Sequence, residues 1–260
     1  MIVTTIERPD EETVRYAMRI AEELGCAYAP RRRDTIRGLM RAKPEAADGV
    51  LAAGPEGLKF SQRDEPPLFY HPSMAFIRAK RLREGGYDAM AHAAGAKPGD
   101  AVLDCTAGLG SDALVFSVAV GAEGRVTALE ASPLLHLIVR EGMRTYQTEL
   151  PDINEAMRRI QHIKAEHLAY LRSLPDKSYD IVYFDPMFTK PVMASASLMP
   201  LRTVAEDSAL TQEAVMEARR VARRAVMLKD HRDSKEFERL GFIRPRRTAN
   251  AVAYGVITLR

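Results

Sequence analysis

The sequence contains no tryptophan and only two cysteines, Cys26 and Cys105, in 260 residues. These two lie far apart, and Cys105 falls at the end of an apolar run. That placement argues against a disulfide framework and leads us to expect a reducing compartment. No apolar run approaches the length of a membrane span. The opening MIVTTIERPDEE lacks the basic-then-apolar pattern of a secretory leader, so a cytoplasmic protein is expected. Neither the histidines nor the cysteines show metal-ligand spacing, and no metal site is expected. A dominant charge is missing too: the net charge of +3 neither demands nor excludes a polyanionic partner. Any nucleic-acid argument must therefore rest on local clusters.

What is present is a sizeable apolar fraction, 46%, enough for one large domain or a core domain with a smaller companion. Residues 1–70 read as a small α+β unit. It would hold a strand at Ile2–Ile6, a helix from Glu11 to Leu24 capped by Asp10, and a hairpin of Val50–Ala53 and Leu58–Phe60 around GPEG. The proline-rich EPPLFYHPS marks the boundary, and residues 71–260 form the second domain. A helical segment over Met74–Ala94 leads into it. Strands and helices then alternate. Strands are expected at Ala101–Cys105, Arg125–Glu130, Arg159–Lys164, Tyr179–Phe184 and Ala225–Lys229. Helices are expected at Ser111–Val120, Pro133–Tyr146 and Asp207–Val221, with a short one near Ser234–Leu240. Phe242–Arg247 and Val252–Leu259 read as a closing antiparallel pair. This alternation predicts an α/β fold with a mostly parallel sheet and helices on both faces. Ligands of such sheets bind at the carboxyl ends of the strands.

Four strand ends carry the chemistry. The first opens into LDCTAGLGSDA, where Gly108 and Gly110 supply a tight turn and a close backbone approach, and Ser111 and Asp112 begin a helix. There is no Walker lysine. Asp104 and Asp112 flank the loop instead, which would repel a pyrophosphate but suit a ligand carrying ammonium or sulfonium charge. The second end places Glu130 about twenty residues past the glycines, where an acid accepts from ribose hydroxyls. The third brings Glu166 to meet an adenine amino group, with the His167 backbone beside the ring; a helix-starting acid is the plainer alternative. Together these describe a pocket for ribose, adenine and a cationic amino-acid end, matching S-adenosylmethionine better than NAD.

The fourth end is YFDPMFTKP. The Asp185 carboxylate and the Pro186 carbonyl can accept the two protons of an exocyclic nucleobase amine, and Phe188 can stack on the base. Asp/Asn-Pro-Pro-Tyr/Phe after the fourth strand marks class I amino-methyltransferases, and Met187 here replaces the second proline. LDCTAGLGSDALV, ALEASP and VYFDPMF together resemble the bacterial small-subunit (16S) ribosomal RNA guanine-N2 methyltransferases, whose own motif carries that methionine. The likeness spans roughly Met74 to Leu259. It implies a Rossmann-like class I methyltransferase fold with S-adenosylmethionine as cofactor and RNA as partner. By motif match the cofactor positions would be Ser111, Asp112, Glu130, Ala131, Glu166, His167 and Asp185.

Basic groups offer candidate substrate contacts: Arg31, Arg32 and Arg33 with Arg37, Arg41 and Lys43; Arg78, Lys80, Arg81 and Arg83; and Arg244, Arg246 and Arg247. Lys190, just past Phe188, and Lys229, at the end of a strand, are further candidates. The plain alternative is a solvated charged face. Two other functions remain open from the sequence: a methyltransferase acting on protein or a small molecule, and a non-catalytic RNA- or nucleotide-binding module.

Overall fold

The computed structural model of the chain describes residues 1–186, 209–244 and 250–259. Its first elements are β1 (Ile2–Thr5), α1 (Glu11–Glu23), β2 (Ala27–Tyr28), α2 (Ile36–Ala42), β3 (Val50–Gly54), β4 (Gly57–Ser61) and β5 (Leu68–Phe69). Next come α3 (Ser73–Arg83), α4 (Ala89–Ala94), β6 (Ala101–Asp104), α5 (Ser111–Val120), β7 (Arg125–Glu130) and α6 (Pro133–Thr145). The chain continues through α7 (Pro151–Arg159), β8 (Gln161–Lys164), α8 (His167–Ser173) and β9 (Tyr179–Phe184). It closes with α9 (Gln212–Val221), β10 (Ala222–His231), α10 (Glu236–Arg239) and β11 (Val252–Thr258). No helix among the described residues is long and apolar enough to cross a membrane. Cys26 and Cys105 are both free thiols.

By their contacts the residues form two units. One gathers Met1–His71 with Pro133–Tyr146, and so takes in α6. Its sheet runs β2-β1-β3-β4-β5, with β1 parallel to β2 and β3 and the β3–β4 hairpin antiparallel. Asp10 caps α1 by accepting from the Thr13 amide at 2.7 Å. The buried Glu141 of α6 accepts from Tyr16 and is flanked by the guanidiniums of Arg140 and Arg144. Gly142 is glycine because of Tyr70: a Cβ there would stand 2.1 Å from the Tyr70 Cβ. Gly142→Ala should therefore overpack the unit and destabilise it by ~1–3 kcal/mol, read as a lower urea midpoint. An unchanged midpoint would show that Tyr70 can move away freely.

The other unit holds Pro72–Ser132 and the remaining described residues from Gln147 onward. Its six strands run β11-β10-β9-β6-β7-β8, parallel except for β11. Strand order reverses between β6 and β9, so the crevice at their carboxyl ends is a topological switch point. The inner strands are buried on both faces, as parallel strands under two helix layers must be. One face carries Leu103, Val182, Phe184, Val226 and Leu228 against α8 and α9. Alternation puts Asp104, Tyr183 and Lys229 on the opposite face, where Phe116 of α5 meets Tyr183 edge-on at 5.2 Å.

Several expected elements differ. Met74–Ala94 is two helices, α3 and α4, because Gly85 takes a φ of 78° and Asp88 restarts the helix by accepting from the Met90 and Ala91 amides. The third strand is shorter than expected, since Pro151 opens α7 and that helix runs to Arg159. Thr211 caps α9, whose expected start at residues 207–208 lies outside the described residues. The closing pair is β11 with β10; Phe242–Arg247 contributes one bridge, Ile243 to Val256, before the described residues break off at 244.

Candidate active site

The carboxyl ends of β6, β7, β9 and β10 converge within the second unit. Register brings them together: Asp104 pairs with Tyr183 across β6 and β9, and Leu228 pairs with Phe184 across β9 and β10. One step further along the strands, Asp185 and Lys229 emerge side by side. The Lys229 ammonium donates to Asp185 Oδ2 at 2.6 Å and to Asp112 Oδ2 at 2.8 Å. Arg78 of α3 donates to the other Asp112 oxygen at 2.5 Å, and its remaining nitrogens grip Asp88 at 2.9 and 3.1 Å. Tyr183 donates its phenol proton to Asp112 at 2.7 Å. Aspartates and cations thus alternate from Asp88 through Arg78, Asp112 and Lys229 to Asp185.

Each carboxylate feels this differently. Burial would raise Asp112, but Lys229 and Arg78 outweigh it and hold its carboxyl well below the usual range. Asp185 is pushed up to about 6, chiefly by burial; Lys229 opposes the rise and Asp112 adds to it. Burial, with Asp112 and Asp185 close by, pushes Asp104 well above its ordinary value. Lys229 is held above the ordinary lysine value by Asp112 and Asp185 despite its own burial. Such perturbed groups at the switch point make this the candidate functional site.

The glycine loop borders this network. Gly108 and Gly110 both adopt positive φ, 53° and 72°. A Cβ on Gly108 would find nothing nearer than the Thr106 carbonyl at 4.0 Å, so the loop faces open space. Gly110 begins α5 without a side-chain cap, unlike α1, α2, α4, α8 and α9, each capped by an Asp, Thr or Glu. Its first turn, with Ser111 exposed, can receive an anionic group such as an amino-acid carboxylate. Glu130 accepts from the Gly108 amide at 3.1 Å and the Ser132 amide at 2.9 Å. It therefore anchors the loop to β7. Ala131 follows, half-buried. The cradle fits the nucleoside and amino-acid ends of S-adenosylmethionine.

Other expected residues are placed as follows. Glu166 caps α8, accepting from the Leu168 and Ala169 amides, both at 2.8 Å, so the plainer of its two expected roles is seen. His167 lies edge-on to Phe184 at 5.8 Å, and burial lowers its imidazole below the ordinary value. Asp104 and Asp112 are buried rather than lining open space, and Asp112 has both oxygens engaged by protein donors. The Asp185 amide donates to Thr106 Oγ1 at 2.6 Å, which ties the Asp185-Pro186 backbone to the glycine loop. Thr106 was missed as a site residue, since no spacing or periodicity singles it out, and Arg78, expected as a substrate contact, instead braces Asp112. Phe188, Lys190 and the methionine-containing PVMASASLMPLR lie outside the described residues.

The expected basic tracks also resolve. Arg78 is spoken for in the network, and Arg83 pairs with Asp152. Arg31, 16% exposed, pairs with Glu7 and donates to the Asp34 carbonyl. Arg244 donates to the Arg232 carbonyl and lies over Phe237, while Arg246 and Arg247 fall outside the described residues. Arg32 and Arg33 are exposed. In the first unit, α2 and the segment after β4 enclose a cavity of about 690 Å³ lined by Arg37, Arg41 and Arg63 together with Ile36, Met40 and Pro67. Among the described residues these three arginines have no ion-pair partner, although Asp64 and Glu65 also line the cavity.

Comparison with known proteins agrees with this geometry. A family model described as "Putative SAM-dependent methyltransferase" matches residues 38–238. An uncharacterised Bacillus subtilis protein, YpiP, is 41% identical over 98% of both chains. Proteins named ribosomal RNA small subunit methyltransferase J are more distant. That of Pseudomonas aeruginosa is 31% identical over 63% of this chain and 64% of its own length. That of Mannheimia succiniciproducens is 35% identical over 50% and 53%. The chain thus spans about half to two thirds of these two relatives. Among solved structures, the SAM-dependent methyltransferase NGO1261 of Neisseria gonorrhoeae aligns over 99% of this chain and 96% of its own at a TM-score of 0.65, with 18% identity.

Proposed function

We propose, on the premise that this chain belongs to the SAM-dependent methyltransferase family, that it methylates an exocyclic nucleobase amine, guanine N2 of small-subunit ribosomal RNA. The observation that carries the reading is Asp185, a partly accessible carboxylate followed by Pro186 at the switch point, beside the glycine cradle. The named ribosomal RNA methyltransferases among its relatives support the substrate class.

When bound, the cofactor supplies a methyl group made electrophilic by its sulfonium. The chain's own task is to present the nitrogen. An exocyclic amine is a poor nucleophile because its lone pair is delocalised into the ring. Asp185 accepts one N–H and the Pro186 carbonyl the other, which favours a pyramidal nitrogen and opposes the positive charge that develops there. Phe188 holds the ring by stacking. Once the methyl has arrived, the nitrogen sheds a proton, and Asp185, already accepting one of its N–H bonds, can take it. Positioning does most of the work.

Ionised Asp185 is the active form, so kcat/KM should fall as pH drops through about 6 and level off above it. A flat profile down to pH 5 would remove Asp185 from the role. A tritiated-methyl assay on extracts of cells lacking the protein tests the substrate. Label in a guanine of small-subunit RNA is expected; label in protein or a small molecule would overturn the reading.

The cavity of the first unit supports an RNA contact, since unpaired guanidiniums suit phosphates and Ile36, Met40 and Pro67 suit a base. The double variant Arg37→Glu, Arg41→Glu should weaken RNA binding and lower its salt slope by about 1 per lost phosphate contact. Cofactor affinity, measured by calorimetry, should be unchanged. RNA affinity equal to that of the parent would dismiss the cavity as an RNA surface.

A further inference from the structure

Lys229 was expected as a contact for substrate, yet its ammonium is turned inward. Its side chain is 18% exposed and sits between two carboxylates. Asp112 is in turn held by Arg78 and Tyr183, so the lysine cannot follow Asp185 outward without leaving a buried anion behind. Among the described residues Lys229 is the donor to Asp185 Oδ2, and no donor reaches Oδ1. The Asp185 amide is fixed independently by Thr106. Among the described residues one carboxylate oxygen is therefore occupied and the other is open, and the backbone beneath them is pinned.

We propose that Lys229 is a positioning residue for methyl transfer: it immobilises Asp185 through Oδ2 and thereby reserves Oδ1 as the acceptor for the substrate amine. This rests on the proposed role of Asp185. The arrangement also explains why a cation at this point is compatible with transfer that builds positive charge. Lys229 is offset by Asp112 and does not present an uncompensated charge to the reacting nitrogen, which would oppose the reaction. Arg78 and Asp88 complete the support behind Asp112. A lysine that merely steered phosphates would gain nothing from this inward, two-carboxylate setting.

The groups facing Asp185 are Lys229 from β10, Asp112 from α5 and Asp104 from β6, with Tyr183 on its own strand, Tyr254 of β11 beside Lys229 and Arg78 behind Asp112. Of these, Lys229 is the cation in direct contact with Asp185. Neutralising it leaves Asp185 against two carboxylates, and the carboxyl must titrate at higher pH.

The test pairs Lys229→Met with Lys229→Arg. In single-turnover methyl transfer at saturating RNA, Lys229→Met should lower the rate by about 10–100-fold at neutral pH, a loss comparable to removing one preorganised electrostatic partner. The acidic limb of its pH profile should move upward by at least about one unit. Lys229→Arg should return the limb toward that of the parent. RNA affinity and S-adenosylhomocysteine affinity should remain close to those of the parent in both. A limb that does not move in Lys229→Met, or a loss confined to RNA affinity, overturns the proposal and returns Lys229 to substrate binding. The Asp185 carboxyl is also titrated directly by carbon NMR in parent and Lys229→Arg protein, with Lys229→Met added where it folds. An upward shift in Lys229→Met with near-parent titration in Lys229→Arg supports the hold on Asp185 even if no RNA is methylated, in which case the substrate reading fails by itself. A shift in Lys229→Arg of more than about one unit overturns the hold, whether or not Lys229→Met folds.

Discussion

Asp185→Ala is expected to lower methyl transfer by at least about 10²–10³-fold in kcat, as removal of one preorganised hydrogen-bonding group does elsewhere. The fold should survive the change. Lys229 keeps Asp112 as its partner, Arg78 keeps Asp88 and Asp112, and the Asp185 amide still reaches Thr106. Burial already disfavours the charged form of Asp185 in the native state. A raised carboxyl contributes stability that is full below its unfolded value and is lost as pH rises through about 6. At neutral pH its removal therefore relieves a penalty rather than adding one. The expected result is an inactive protein whose thermal midpoint at pH 7.5 is no lower than the parent's and whose cofactor still binds. Near-normal turnover would strip Asp185 of its role, and a sharply lowered midpoint would recast it as a structural residue.

The strand tips could be read because each follows directly on an apolar run. Val102–Leu103 into Asp104, Ala128–Leu129 into Glu130, and Val182–Phe184 into Asp185 each set a carboxylate at the end of an apolar run. Alternating strands and helices also carried the parallel order. What stayed hidden depended on register and facing. Lys229 meets Asp185 because β10 lies beside β9 with Leu228 opposite Phe184, and no local pattern encodes that pairing across the intervening residues. Arg78 read as one of a basic group with Lys80, Arg81 and Arg83. Which face of α3 turns inward is decided by Asp88 and Asp112, carboxylates outside that helix. Helix α7 was missed because PDINEAMRR buries only Ile153, Asn154, Ala156 and Met157, a narrow stripe in a polar segment. The last strand was paired with its neighbour in sequence, whereas β11 returns to the longer, more buried edge of β10.

Asp112→Ala should be the most damaging to stability of the single changes within this charged network. This carboxylate, 6% exposed, holds Arg78 on one oxygen and Lys229 and Tyr183 on the other. Removing one partner from a buried ionic group typically costs ~3–5 kcal/mol. Here each cation retains a second carboxylate, Asp88 for Arg78 and Asp185 for Lys229, which points to the lower end of that range. The stranded Tyr183 hydroxyl, buried beside Phe116, adds its own desolvation cost. Because the carboxyl is depressed in the folded state, its contribution is present above the ordinary aspartate value and disappears as pH falls below it. The deficit of the variant in urea melts should accordingly shrink toward acid pH; a deficit that is constant with pH would mean the loss is one of packing and not of charge. The same substitution acts on Asp185 in the opposite sense to Lys229→Met. It removes a like charge and leaves Lys229 to Asp185 alone, so any residual activity should persist to lower pH than in the parent. Two neighbours of one carboxylate that shift its titration in opposite directions, one with a large loss of stability, distinguish an electrostatic clamp from a generally disrupted site.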